Sequence, residues 1–304
     1  MGVGRITTQM IVARTLSNLR SQTNRIVDLQ TQLSTGQRVN APSDDPIDAR
    51  RGINARAAIA KNEQYSQNIS SAGPRLEETV TSLQTVTENL LRARELTLRG
   101  ANGTNDQNSL DIIAQEVNQI LEGMLNTANH QTGNAYIFGG TRTTQAPFVA
   151  TRDVNGEITS VAYQGNQEDI NVAIGDGVQV ITNEPGSTVF QGTEDIFQTL
   201  IDIRDNLRAG DQSSLQNARL SELETLRQQV SQGVSRVGAV QNRLSAADSE
   251  LEDFKIQLQQ VLSDSIDADF ADVVINLNAQ SNAYQAALNA GARIIQPSLL
   301  DFIG

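Results

Sequence analysis

The sequence contains no cysteine and no tryptophan, and His130 is its only histidine. Without cysteine the chain has no disulfide framework, no thiolate metal ligand and no cysteine nucleophile. A single histidine cannot supply an HExxH zinc motif, and no GxSxG segment presents a serine nucleophile. These absences predict that the protein is not an enzyme and carries no metal or other cofactor.

Positive charge is also scarce, because 23 Lys and Arg stand against 35 Asp and Glu, which gives a net charge of -12. Non-specific binding to nucleic acid needs clustered Lys and Arg, so nucleic acid is not an expected partner. No apolar run approaches the roughly 20 residues of a membrane-spanning helix, so we expect no membrane insertion. Residues 1–19 lack the apolar segment and cleavage site of a Sec signal, so an extracellular protein of this sequence needs another export route.

Aromatic residues make up only 4% of the chain. Large aromatic side chains fill thick globular cores, and their scarcity favours a rod in which each helix buries only a narrow stripe. We therefore expect an elongated protein.

Apolar residues at helical spacing dominate the first 132 residues. They predict one amphipathic helix over residues 6–33, a second from about 46 to 99, and a third after the turn-forming "GANGTND". Gly73-Pro74 falls inside the second helix, where the proline removes a backbone hydrogen bond and predicts a kink or an interruption. The heptad seam of that helix consists of Ile69, Leu76, Leu83 and Leu90.

The spacing of apolar residues is no longer helical between about Gly133 and Gln191. This stretch is rich in β-branched and aromatic residues and is broken by glycines, and Asn155-Gly156 is a strong hairpin signal. It predicts a small β-rich insert between two helical parts of the chain.

Helical periodicity returns after the insert. A short helix is predicted over residues 193–208, a long heptad helix from about 211 to 264, and a final helix from Phe270 onward. More than 50 helical residues span roughly 80 Å, whereas a compact globule of this length has a radius of gyration of only about 19 Å. The heptad positions are Leu223, Val230, Val237, Leu244, Leu251 and Leu258, with Leu226, Val240, Ala247, Phe254 and Val261 at the partner positions.

The predicted fold is mainly α, an elongated coiled-coil-like helical rod of N- and C-terminal helices with a small central β-rich insert. Three domains follow from this layout. They are a terminal-helix assembly domain (residues 1–42 and 266–304), a helical rod domain (43–132 and 193–265) and an exposed β-rich insert (133–192).

The segment "LSTGQRVNAPSDDP", residues 33–46, separates the first two helices. Gly36 stands where the end of a helix favours a left-handed residue. Ser43 or Asp45 can accept the first free N–H groups of the next helix, and Pro46 suits its first position. Capping explains nearly every residue here and is favoured over an acid–base pair or a cation site at the adjacent aspartates. The predicted inter-domain joint consists of Gly36, Pro42, Asp44, Asp45 and Pro46.

The terminal helices have little else in the chain on which to pack. Residues 1–33 carry four Arg and one Asp, whereas 270–304 carry two Asp and one Arg, which favours pairing between them. Two such helices are marginal in water, so we expect them to order only on joining neighbouring subunits, with a stable intramolecular hairpin as the alternative. The predicted assembly interface consists of Met10, Leu16, Leu19, Ile26, Leu33, Phe270, Val273, Leu277, Tyr284, Leu288 and Ile294.

Four segments resemble the flagellin superfamily. "QLSTGQRVNAPSDDP" (Gln32 to Pro46) is similar to the segment after the first terminal helix, and "LLRARELTLRGANGTND" (Leu90 to Asp106) resembles a shared stretch ending in Ala-Asn-Gly. Residues 269–303 resemble the C-terminal helix of the superfamily. "NAYIFGGTRTTQAPF" (Asn134 to Phe148), together with Pro46 after the aspartate pair, is closer to the hook–filament junction branch than to flagellin itself.

This resemblance implies a structural protein of the bacterial flagellum, exported unfolded through the flagellar type III apparatus. It implies a ring between hook and filament, with the terminal helices as inner layer, the rod as middle layer and the insert outside. The implied partners are further copies of the chain, the other hook-associated protein, flagellin, and an export chaperone for the C-terminal helix. A short flagellin that forms the filament itself is the alternative, and an adhesin that binds through the β insert is a second hypothesis.

Overall fold

The computed structural model describes residues 8–295 and, among these, the side chains of residues 10–292. The helices are α1 (Thr8–Thr35), α2 (Pro46–Gly100), α3 (Gln107–Ala128), α4 (Gly186–Phe190), α5 (Ile196–Ala209), α6 (Gln212–Ser214), a π-helical turn (Leu215–Arg219), α7 (Leu220–Ile266) and α8 (Phe270–Ile295). The strands are β1 (Gln131–Thr132), β2 (Ala135–Tyr136), β3 (Phe148–Arg152), β4 (Ile158–Tyr163), β5 (Asn171–Gly175) and β6 (Val178–Ile181). The predicted helical start at residues 6 and 7 and the last nine residues of the predicted assembly domain lie outside the described residues.

The mainly helical class with a small β-rich centre is confirmed. The six strands form three antiparallel pairs, β1 with β2, β3 with β4 and β5 with β6. The predicted hairpin at Asn155-Gly156 joins β3 to β4. Its turn is closed by Asp153, whose carboxylate accepts the N–H groups of Asn155 and Glu157 at 2.9 and 2.8 Å, and Gly156 has φ of 84°.

The chain divides into two compact units. The terminal unit comprises Met1–Lys61 with Asp253–Gly304, and the middle unit comprises Asn62–Glu252. Both boundaries fall inside long helices, α2 and α7. The three-domain division stays a prediction.

The middle unit has its core where the heptads predict it. On α2, Leu76, Leu83 and Leu90 are at most 2% exposed, and α3 packs along α5 beside them. The buried heptad residues of α7 are Leu223, Leu226, Val230, Val237 and Leu244. A polar bridge also joins α2 to α7, because the Ser66 hydroxyl donates to Asp248 at 2.8 Å.

Five of the eleven aromatic residues form one cluster. The ring of Phe148 lies 5.1 Å from that of Tyr163, 5.1 Å from Phe190 and 5.2 Å from Phe197, centroid to centroid. Phe138 completes it, with its ring 5.1 Å from that of Phe190. The expectation that each helix buries only a narrow apolar stripe is therefore wrong for this region, because the strands and α5 enclose a thick local core.

Helix α2 continues through Pro74, so the predicted interruption is wrong. Pro74 is exposed, whereas Ala72 and Leu76 on either side are buried in the core. Packing on both sides of the proline holds the helix, and Ser70, whose carbonyl loses its helical partner, is exposed to solvent.

Near its C-terminal end the heptad pattern of α7 fails to predict burial. Phe254 and Val261 stand at partner positions, yet both are 48% exposed. The burial that these heptad positions predict is therefore wrong for Phe254 and Val261.

Candidate functional site

The joint between α1 and α2 is built by two helix caps. Gly36 ends α1 in the left-handed conformation, with φ of 70°, and its N–H donates to the Gln32 carbonyl at 2.8 Å. Asp45 begins α2, because its Oδ1 accepts the N–H groups of Ile47 and Asp48 at 3.0 and 3.1 Å. Pro46 is the first helical residue and needs no acceptor there. Of the two predicted capping residues, Asp45 therefore fills the position and Ser43 does not.

Asp44 makes different hydrogen bonds from Asp45. Its Oδ2 accepts the N–H groups of Asn40 and Ala41 at 3.0 and 2.8 Å, and its own N–H donates to the Ala41 carbonyl at 3.0 Å. Asp44 thus closes the loop that carries Pro42, and it does not cap α2. The adjacent carboxylates are both occupied by backbone N–H groups, as the capping interpretation requires.

The joint is fastened to the turn between α7 and α8. The N–H of Arg38 donates to the Ile266 carbonyl at 2.7 Å, and the N–H of Ala268 donates to the Gly36 carbonyl at 2.9 Å. Val39 and Ile266, 6% and 4% exposed, are the buried apolar pair at this crossing. Backbone hydrogen bonds therefore join two segments that are far apart in the sequence.

Arg38 is the residue that sequence reasoning missed. Its Nη2 lies 2.6 Å from Asp48 Oδ2 and 2.9 Å from the Ser265 carbonyl oxygen, and its Nη1 lies 3.6 Å from Asp45 Oδ2. A single arginine in a polar loop forms no sequence motif. Its position close to the capping aspartates in the sequence is the only signal that could have identified it.

The charges of the joint stabilise one another. The hydrogen bond to Asp48 raises the pKa of Arg38, and the backbone N–H of Asp48 lowers the pKa of Asp45, with smaller contributions from Ile47 and Arg38. A carboxyl whose folded pKa lies below its unfolded value of about 3.9 stabilises the fold above that value. This contribution is lost as the pH falls through the lower folded pKa.

Replacing Arg38 with Gln should loosen the joint. The substitution removes the ion pairs and the charged hydrogen bond to Ser265, which together contribute about 1 kcal/mol at a half-exposed site. We expect the backbone amides of Arg38 and Ala268 to exchange with deuterium about fivefold faster. Arg51→Gln is the matched control, because Arg51 also pairs with Asp48, at 3.2 Å, without reaching the α7–α8 turn. Equal exchange in the two variants would contradict the role of Arg38.

Helices α1 and α8 pack against each other, which confirms the predicted pairing. They run antiparallel, since a methyl group added to Gly291 near the end of α8 would lie 3.1 Å from Cγ2 of Thr15 near the start of α1. No ion pair joins the two helices between residues 10 and 292, so the seam is held by side-chain packing and not by the charge difference. Ordering only on assembly stays a prediction.

The predicted assembly residues differ in their exposure. Val273 is buried, and Leu19, Ile26, Leu33, Leu277 and Tyr284 are half-buried along the seam. Met10, Leu16, Phe270 and Leu288 are 43–64% exposed. Val27 and Ile275, at 52% and 64%, are further exposed apolar residues that the prediction missed. The side chain of Ile294 lies outside the described residues.

Other candidate chemistry has structural explanations. His130 Nε2 lies 3.1 Å from Glu78 Oε2, next to the end of α3. Residues 8–295 contain no cluster of three or more metal-ligating side chains. None of the helices described here is long and apolar enough to cross a membrane.

Two sequence families match the chain. The profile of the bacterial flagellin N-terminal helical region matches residues 6–143, and that of the bacterial flagellin C-terminal helical region matches residues 220–303. The two regions together cover more than half of the chain. They include α1, the joint and α8.

Individual relatives are similar over different lengths. Flagellar hook-associated protein 3 of Salmonella typhimurium is 30% identical over 189 residues, which are 61% of this chain and 56% of that protein. A flagellin of Salmonella muenchen is 32% identical over 116 residues, which are 38% of this chain and 23% of that protein. The crystal structure of Bacillus cereus FlgL matches 69% of this chain and 99% of its own, with a TM-score of 0.58 and 26% identity. The chain thus aligns with little more than half the length of the hook-associated protein.

Proposed function

Because the chain belongs to the bacterial flagellin family, we propose that it is a structural component of the bacterial flagellum. Its role is to link hook and filament as a hook-associated junction protein. The observation that carries this proposal is the longer alignment with flagellar hook-associated protein 3, over 61% of the chain, compared with 38% for a flagellin. The role is structural and not catalytic.

Self-assembly through the terminal helices is the proposed mechanism. The seam between α1 and α8 uses one apolar face of each helix, while Met10, Phe270 and Ile275 remain more than half exposed. These side chains are spread along the antiparallel pair, with Met10 at one end and Phe270 and Ile275 at the other, so both ends carry exposed apolar surface. Neighbouring subunits would cover them, and the joint from Gly36 to Pro46 would set the direction in which α1 leaves α2.

The partners follow from this role. They are further copies of the chain, a second hook-associated protein, flagellin, and an export chaperone for the C-terminal helix. The proposed route is the flagellar type III apparatus, and the proposed location is extracellular. The terminal helices would form the inner layer of the assembly, the rod helices the middle layer, and residues 133–192 the outer surface.

Immuno-electron microscopy of intact flagella tests this proposal. Gold label against the chain should appear as one cluster at the distal end of the hook. Label along the whole filament would contradict the junction role and favour the short flagellin.

A further inference from the structure

The first turns of α2 carry an exposed row of apolar and basic side chains. Ile47, Arg50, Ile53 and Arg56 follow one another at three-residue steps, so each is a neighbour of the next on the helix surface. All four are exposed, and the two isoleucines are exposed over more than half of their surface. We call these four residues the basic stripe.

The last turn of α7 carries a similar row with acidic side chains. Val261, Asp264 and Asp267 are exposed and also stand at three-residue steps, and the Asp267 N–H still donates to the Ser263 carbonyl in the helical manner, at 2.9 Å. Phe270, the next residue at this spacing, begins α8 and is 64% exposed. Val261, Asp264, Asp267 and Phe270 form the acidic stripe.

The charges of both stripes are left unbalanced by the chain itself. Within residues 10–292, no ion pair involves Arg50, Arg56, Asp264 or Asp267. Asp264 accepts a hydrogen bond from the side-chain amide of Gln260 at 2.7 Å, which leaves its negative charge in place.

The two stripes lie on sides of α2 and α7 that face away from each other. Gly52 faces α7, because a methyl group added there would lie 2.7 Å from Cγ2 of Ile266 and 3.8 Å from Cδ1 of Leu262. Arg50 is two residues from Gly52, and Asp264 is two residues from both Leu262 and Ile266. Two residues correspond to roughly 200° around a helix. The stripes therefore cannot neutralise each other within one chain.

We propose that the basic stripe of one copy of the chain binds the acidic stripe of a second copy. This inference rests on the structural role proposed above and names the surfaces through which neighbouring subunits meet. Each stripe offers two exposed apolar side chains, whose removal from water favours the contact. The opposite charges add specificity and fix the register of the contact.

The direction of the stripes determines the kind of assembly. Because the stripes face apart, two copies cannot satisfy both stripes of both chains in a closed two-fold dimer. Each added copy leaves one stripe free at either end, which makes the contact heterologous. Heterologous contacts close into a ring or continue as a helix, and either form suits a subunit of the flagellum.

Charge reversal in the full-length chain tests the proposal by complementation of a strain that lacks the protein. Arg50→Glu with Arg56→Glu, and Asp264→Arg with Asp267→Arg, should each lower the gold label on intact flagella by about tenfold, because like charges then meet. The variant with all four substitutions should recover most of the label. Arg50→Lys with Arg56→Lys is the matched control, which keeps the charge and should assemble normally. The amount of each variant in the culture medium measures its export.

Cross-linking in intact flagella measures the same contact without a change of charge. The chain contains no cysteine, so Ile53→Cys combined with Val261→Cys places one thiol in each stripe. A flexible bismaleimide should then produce a ladder of dimers, trimers and larger species on a denaturing gel. Either substitution alone should leave the chain monomeric, because each contact then has only one thiol.

Three results would overturn the proposal: normal assembly of either charge-reversed pair, no recovery in the fourfold variant, or no ladder after cross-linking. Failure of the fourfold variant would show that the stripes bind other proteins and not each other. Label along the whole filament, with full recovery in the fourfold variant, would contradict the junction role and still support the contact between the stripes. The two proposals therefore fail separately.

Discussion

Replacing Phe148 with Ala is expected to lower the free energy of unfolding of the middle unit by about 3–5 kcal/mol. Phe148 is 2% exposed, and its ring contacts those of Tyr163, Phe190 and Phe197. Removing it opens a cavity among rings contributed by β3, β4, α4 and α5. Urea denaturation followed by circular dichroism measures the loss as a lower transition midpoint.

Val154→Ala is the matched control for this experiment. Val154 lies in the β3–β4 turn and is fully exposed, so its truncation should change the unfolding free energy by less than about 0.5 kcal/mol. A Phe148 variant that loses less than about 1 kcal/mol would show that the aromatic cluster does not hold the middle unit together.

Leu277→Asp should abolish incorporation into the flagellum while the middle unit stays folded. Leu277 is half-buried in the seam between α8 and α1, and an unpaired carboxylate in an apolar contact costs several kcal/mol. Complementation of a strain that lacks the protein measures the effect as loss of motility and of gold label at the hook. The urea transition of the middle unit should be unchanged.

Asn278→Asp places the same charge one residue further along α8, at an exposed position. We expect this control to assemble and to support motility. Normal motility with Leu277→Asp would contradict the assignment of the terminal helices to the assembly interface. Loss of motility with both variants would show that added negative charge on α8, and not its position in the seam, blocks incorporation.

Sequence patterns predicted the long helices and the caps of the joint because both depend on local spacing. A heptad such as Leu76, Leu83 and Leu90 places apolar side chains on one face whatever the partner is. Gly36 and Pro46 likewise act through their own backbone preferences. These features needed no knowledge of distant contacts.

The remaining features depend on contacts between distant residues. Arg38 gains its role from a carbonyl 227 residues away, and no local signal marks that partner. The π-helical turn at Leu215–Arg219 inserts an extra residue per turn without any glycine or proline to announce it. The exposure of Phe254 and Val261 depends on which other elements pack against that end of α7, which a heptad alone does not encode.

The hydrogen bonds between the joint and the α7–α8 turn constrain the order in which the chain folds. Closing a loop of 227 residues from an unfolded chain costs roughly 5 kcal/mol of conformational entropy. Folding of the middle unit removes most of that cost. The Asn62 side chain on α2 then donates to the Leu251 carbonyl on α7 at 2.5 Å, which holds the two helices together. The terminal unit therefore closes after the middle unit. In any process that delivers the chain N-terminus first, α1 stays without its partner helix until α8 has followed.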